Sequence, residues 1–113
     1  MTCIFCQIIE GKAPAKLVYR DEQVTAFQDI RPIAPVHLLI VSNLHIPSLN
    51  ELETGHEGLV GHMVNVARQL AHKNGVSQSG YRLGFNTGPD AGQTVHHLHL
   101  HILGGRALPL HFK

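Results

Sequence analysis

His97-Leu98-His99-Leu100-His101-Ile102-Leu103 alternates imidazole and aliphatic side chains without a break before it ends on a second aliphatic residue. Successive side chains of a β-strand point to opposite faces. The spacing therefore predicts a strand over 97–103, with His97, His99 and His101 on one face and Leu98, Leu100 and Ile102 on the other. A helix would scatter the three imidazoles. The aliphatic face carries enough apolar surface to anchor the strand in a core, so the histidines are presented by a rigid element. Such rigidity suits catalysis or metal binding.

Working outward, the Gly-rich loop Thr87-Gly88-Pro89-Asp90-Ala91-Gly92 separates this strand from another β-leaning run, Tyr81 to Asn86. Before it, Thr54 to Asn74 places Leu59, Val60, Met63, Val64, Ala67, Leu70 and Ala71 at the three-and-four spacing of an amphipathic helix that stops at Gly75. Val36 to Val41 is an apolar run interrupted only by His37 and reads as a central strand. Asp29 to Pro35 is an irregular connection stiffened by Pro32 and Pro35. Lys16 to Arg20 and Val24 to Gln28 are strands whose polar link, Asp21-Glu22-Gln23, is short enough for a hairpin. Cys3 to Gly11 forms a short turn of helix anchored by Ile8 and Ile9 and broken at Ala13-Pro14-Ala15. These links are too short for parallel crossovers. The expected class is α+β: an antiparallel five-stranded sheet, one main helix and a short N-terminal helix. The main helix should cover the face of Leu98, Leu100 and Ile102 and leave the histidine face open to a ligand.

A chain of 113 residues with 43% apolar content can bury one modest core, so residues 1–113 are expected to form a single domain. The formal net charge is +1, which provides no electrostatic footprint for nucleic acid or an anionic membrane; the partner is expected to be small. No apolar stretch approaches bilayer-spanning length, and Met1 to Cys6 lacks the pattern of a secretion signal, so a cytoplasmic location is expected. Cys3 and Cys6 are too close in sequence to staple distant parts of a fold. They read as metal ligands, while a lone C-x-x-C leaves spectator thiols or a labile redox pair open. Of the ten histidines, His56, His62, His72, His96 and His111 read as ordinary surface residues.

The His-φ-His-φ-His-φ-φ pattern, with φ apolar, resembles the histidine-triad (HIT) nucleotide-binding proteins, and specifically their Hint branch. The resemblance is collinear across nearly the whole chain: Ile4 to Ile9, Ala26 to Ile30, Ala34 to Val41, His45-Ile46, Gly84 to Gly88, Ala91 to Val95 and Gly104-Gly105-Arg106 all look like family segments in family order. It implies hydrolysis of purine nucleoside phosphoramidates or acyl-nucleotides, such as adenosine 5′-phosphoramidate or aminoacyl-AMP, through a nucleotidyl-histidine. An imidazole nitrogen is a good nucleophile toward activated phosphorus and a good leaving group once protonated. By resemblance His99 is the nucleophile, His37 buttresses its tautomer from a neighbouring strand, and His101 hydrogen-bonds the phosphate or protonates the departing nitrogen. Gly92, Gln93 and Thr94 would cradle the phosphate with backbone N–H groups and a hydroxyl, glycine permitting the close approach; relatives usually carry serine at the Thr94 position. Asn86 matches the phosphate-side asparagine and Asp29 the acceptor of ribose hydroxyls, although both also suit turns at strand ends. His37 equally suits a hydrogen-bonded core position. Phe5, Phe27 and Ile30 would line the base.

Resemblance to the zinc-bearing relatives further implies that Cys3, Cys6, His45 and His97 bind a closed, structural zinc, with no catalytic metal required. It also implies a homodimer in which the main helix and a central strand pair across a two-fold axis. The C-terminal tail, Ala107 to Lys113, lacks the tryptophan that some relatives send toward the neighbouring site. Two other readings stay open: a dinucleoside polyphosphate hydrolase of the fragile-histidine-triad branch, and a nucleotide-binding regulatory or scaffold protein with vestigial activity.

Overall fold

The computed structural model describes residues 3–109; His111 and the end of the C-terminal tail, 110–113, lie outside the described residues. The elements are α1 (Ile4–Ile9), β1 (Leu17–Arg20), β2 (Val24–Gln28), β3 (Val36–Ser42), α2 (Glu57–Lys73), β4 (Tyr81–Gly84) and β5 (His99–Gly104), with single 3-10 turns at Leu49–Glu51, Thr54–His56 and Pro89–Ala91. The five strands form one antiparallel sheet in the order β1-β2-β3-β5-β4. The α+β expectation therefore holds, with shorter ends. The run from Tyr81 stops at Gly84, and the triad strand starts at His99, because His97 sits in a bend just before it.

Register fixes the two faces. Val41 lies opposite His99, Leu39 opposite His101, and His37 opposite Leu103, so the odd-numbered residues of β3 share the face of the β5 histidines. Phe27, opposite Leu39, adds an aromatic ring to that face. The other face is aliphatic. Val24, Ala26, Leu38, Ile40, Leu98, Leu100 and Ile102 pack there against Leu59, Met63, Val66, Ala67 and Leu70 of α2. Full burial of side chains such as Met63 and Ile40, each 0% exposed, stabilises this layer by roughly 1.5–3 kcal/mol apiece. Val64, which the sequence pattern places on the buried stripe, is 43% exposed, and Val66 takes the inward position instead.

Both ends of α2 are set locally. Glu53 and His56 form a reciprocal capping box on the 3-10 turn that leads into it, the Glu53 backbone N–H donating to His56 Nδ1. At the other end Gly75 adopts a φ of 76°, which lets its N–H reach the His72 carbonyl and the Val76 N–H reach that of Ala71. His62 docks the helix onto the β1–β2 hairpin through Asp21, Nε2 to Oδ2 at 2.6 Å. His56 and His62 are thus structural rather than idle surface residues, whereas His72 and His96 are exposed.

One expectation is corrected by this layout. The histidine face is not fully open, because α1 lies against it: Phe5 and Ile8 pack with Phe27, Leu39 and Val41 in a second apolar cluster. Among the described residues β2, β3 and β5 are each hydrogen-bonded on both sides and the sheet edges are β1 and β4.

Candidate functional site

Four imidazoles stand side by side on or beside the α1 face, and the hydrogen bonds around each ring determine which nitrogen carries the proton. His99 Nδ1 lies 2.6 Å from the His97 carbonyl oxygen, which can only accept. The proton is therefore on Nδ1, and the Nε2 lone pair is free. His37 is the reverse case. The Ile33 backbone N–H donates to His37 Nδ1 at 3.2 Å, so the proton is on Nε2, which faces His101 Nδ1 at 3.0 Å and Asp29 Oδ2 at 3.3 Å. His101 Nδ1 thus accepts, leaving its own N–H on Nε2. The strand thereby holds one imidazole with a free lone pair and, two residues on, one with a free N–H.

Burial favours the neutral form of His101 and His37. His101 is pushed down to about 4, first by burial and then by the nearby His99 and His37 rings, against the pull of Asp29. His37 is also lowered, burial outweighing the Asp29 carboxylate. The structure thus puts His37 against His101 rather than against His99, where the sequence reading placed it; the His97 carbonyl fixes the His99 tautomer instead. Asp29, His37 and His101 form a three-residue cluster compact enough for a metal ion. With the Ile33 N–H on Nδ1, however, His37 presents a proton toward that cluster, which makes it a hydrogen-bond relay.

A second cluster lies at the α1 end. Cys3, Cys6, His45 and His97 bring their ligand atoms within 4.8 Å of one another. His97 Nδ1 is 3.3 Å from Cys3 Sγ, 3.6 Å from Cys6 Sγ and 3.0 Å from His45 Nδ1, and Cys6 Sγ is 3.3 Å from His45 Nδ1. A tetrahedron with zinc–sulfur bonds of about 2.3 Å and zinc–nitrogen bonds of about 2.0 Å separates its ligands by about 3.3–3.8 Å, so the donor set fits a Cys2His2 metal site. His97 is fully buried, and its Nε2–H donates to the Ser42 carbonyl at 2.6 Å, which aims the Nδ1 lone pair into the cluster. Burial, then the Cys3 thiol and Glu10, push the Cys6 thiol up; a cation would reverse that balance.

The other expected residues divide. Phe5 and Phe27 are buried and meet edge-on at 5.5 Å, and Phe5 packs edge-on against His99 at 5.1 Å and His97 at 5.8 Å, so they form a wall behind the histidines rather than an open slot. Ile30, 93% exposed, stands free next to Asp29. The Gln93 side chain staples its own loop, accepting from the Gly88 N–H and donating to the Pro47 and Val95 carbonyls, and its backbone N–H donates to the Gly88 carbonyl just as the Gly92 N–H donates to that of Pro89. Asn86 likewise donates to the Ala91 carbonyl across the loop. Gly92 has a φ of 79°, and Thr94 is exposed beside it. Gly84 faces His101 across the β4–β5 ladder with open space where a Cβ would be. Sequence reading missed the groups acting through the backbone, the Ile33 N–H and the carbonyls of Ser42 and His97, for which side-chain patterns carry no signal.

Comparison with known proteins places the chain in a family. A family model described as "Scavenger mRNA decapping enzyme C-term binding" matches residues 2–109. The purine nucleoside phosphoramidase of Escherichia coli (strain K12) is 47% identical over 105 residues, covering 93% of this chain and 88% of that protein. An uncharacterized HIT-like protein of Buchnera aphidicola subsp. Baizongia pistaciae is 45% identical, covering 93% of this chain and 94% of that one. The crystal structure of a HIT family hydrolase from Legionella pneumophila Philadelphia 1 superposes with a TM-score of 0.94 at 43% identity, covering 96% of this chain and 97% of the other. A zinc-bound histidine triad family protein from Mycobacterium smegmatis gives a TM-score of 0.81 at 32% identity, covering 94% and 76% of the two chains. With its three alternating histidines, its α+β fold and these relatives, the chain belongs to the histidine-triad (HIT) family.

Proposed function

We propose that this HIT hydrolase, a single domain over residues 1–113, cleaves purine nucleoside phosphoramidates or acyl-nucleotides through a nucleotidyl-His99 intermediate. The observation that carries this reading is the pair of opposite tautomers on β5: His99 with a free Nε2 lone pair, and His101 with a free Nε2–H. His99 Nε2 attacks phosphorus, the P–N or P–O bond to the leaving group breaks, and the departing atom takes up a proton. Water then attacks the same phosphorus, the P–Nε2 bond breaks, and the nucleoside monophosphate leaves. His101, neutral at neutral pH, donates its N–H to a phosphate oxygen, and His37 with Asp29 holds it in that orientation. The Thr94 hydroxyl meets a remaining phosphate oxygen, while the Gly92 and Gln93 N–H groups, bonded to the Pro89 and Gly88 carbonyls, shape the turn that presents it. Asp29 keeps lone pairs for ribose hydroxyls, and Ile30 lies against the base. The phosphoramidase name of the 47% identical Escherichia coli protein favours this substrate class over dinucleoside polyphosphates.

The Cys3, Cys6, His45 and His97 cluster is proposed as a structural zinc site that pins α1 to the sheet; the metal, when bound, supplies a fixed cross-link and takes no part in the chemistry. A homodimer is proposed to form through the free edge of β4 together with the side of α2 that exposes Val64. No helix among the described residues is long and apolar enough to cross a membrane, and a cytoplasmic location, where the thiols stay reduced, is proposed.

The test is to trap the intermediate. Brief exposure to adenosine 5′-phosphoramidate followed by acid quench should leave one nucleotidyl group on His99, and His99→Gly should turn over no substrate yet still bind AMP. A label on His97 or His101, or turnover by His99→Gly, would refute the assignment.

A further inference from the structure

Cys3 and Cys6 lie one helical turn apart. Cys3 is the N-cap of α1 and its Sγ accepts from the Cys6 N–H at 3.4 Å, while both sulfurs belong to the ligand cluster no wider than 4.8 Å. With both sulfurs inside that cluster, a disulfide of about 2 Å requires them to close by no more than about 3 Å, which rotation of the two side chains can supply. Both thiols are partly exposed, and the chain has no other cysteine with which either could pair.

This pair is joined to His99 by two routes. Phe5, between the two cysteines in sequence, is buried with its ring edge-on to both His99 and His97. His97, whose Nδ1 faces both sulfurs, uses its backbone carbonyl to hold the His99 Nδ1–H. Whatever displaces α1 or releases the His97 ring therefore reaches the imidazole that must keep its Nε2 lone pair aimed at substrate.

We propose that Cys3 and Cys6 form a redox modification site, oxidised by a hydroperoxide to an intramolecular disulfide that expels the metal and relaxes the seat of His99. The inference rests on the zinc reading above. One thiolate attacks the peroxide, gaining an oxygen as a sulfenic acid while the other peroxide oxygen leaves as hydroxide (or alkoxide). The second thiolate attacks that sulfur, the S–S bond forms, and hydroxide departs. Two thiolates thus lose two electrons and the peroxide gains them. A disulfide is no zinc ligand, and the two histidines that remain, one of them the exposed His45, cannot close the site. Reduction by a dithiol restores both sulfurs and the site reloads.

The experiment uses zinc-loaded, full-length protein whose zinc content is measured first. Hydrogen peroxide is added while a chromogenic chelator follows released zinc, intact mass and peptide mapping follow Cys3 and Cys6, and NMR follows the His99 ring. The expected result is zinc release in step with loss of two hydrogens between Cys3 and Cys6, a shift of the His99 resonances, and a fall in turnover of about ten- to a hundredfold, the scale of a misplaced reacting group. Dithiothreitol with zinc should reverse all four. Oxidation to separate sulfinic acids without a disulfide overturns the proposal, as does a disulfide that leaves both the His99 resonances and turnover unchanged. Cys3→Ser and Cys6→Ser provide the second arm: whatever turnover they retain should not fall further with peroxide, and an equal fall would place the sensitive group elsewhere. Protein that holds no zinc at the outset refutes the metal reading and the release step with it; a disulfide that still shifts His99 then upholds the redox site alone.

Discussion

Lowering the pH from 7 to 5 should destabilise the protein through His101. The ring faces His37, His99 and Asp29, and burial leads the causes that hold its titration down to about 4 from the ordinary 6.5. Between those two values the unfolded chain binds a proton that the folded chain refuses, so stability is fully present above about pH 6.5 and is lost as the pH falls toward 4. At about 1.4 kcal/mol per pH unit the complete displacement is worth about 3 kcal/mol, of which about 2 kcal/mol is lost by pH 5. Solvent beside the half-buried ring reduces this to about 1–2 kcal/mol. Denaturant unfolding at the two pH values measures it directly. His101→Gln keeps an acceptor for the His37 N–H but removes the titrating group, and should flatten the pH dependence by that amount. His37, also held low by burial, remains in the variant and leaves a residual slope. Asp21 does not interfere: burial pushes its carboxyl up, but bonds from Tyr19, His62 and the Gln23 and Val24 N–H groups outweigh this and hold it well below the usual carboxylate range, so its loss falls below this window. If His101→Gln and the native protein lose the same stability between pH 7 and pH 5, the argument from the buried ring is wrong.

Gly105→Ala should cost about 2 kcal/mol or more, because φ is 94° there and the added Cβ would meet Pro35 Cβ at 2.8 Å; a melting temperature within a degree or so of the native protein would contradict the clash. Asp21→Asn should cost about 1–2 kcal/mol by weakening the bond from His62 that docks α2 on the hairpin and the bond from Tyr19 within the hairpin, and a double-mutant cycle with His62→Ala should show coupling between the two sites, which additive effects would exclude.

The sequence by itself determined the elements and the candidate side chains of the site. Alternation at 97–103 and the three-and-four spacing of α2 are local periods, and a local period specifies which face a residue occupies once its element forms. That is why the aliphatic side of the triad strand met α2 as expected. Tertiary structure alone decided the pairings. Whether His37 supports His99 or His101 depends on how β3 and β5 align, with His101 opposite Leu39, and on an Ile33 N–H delivered by the irregular loop after β2. The first triad histidine left the strand for a bend, which frees its carbonyl for His99 and its ring for the cysteines. Phe5 became a wall and His62 a clamp because each met a partner distant in sequence, His99 and Asp21 respectively. Backbone carbonyls and N–H groups are the same at every residue, so no pattern of side chains can announce which of them will set a tautomer; only the folded register brings one particular carbonyl to one particular ring.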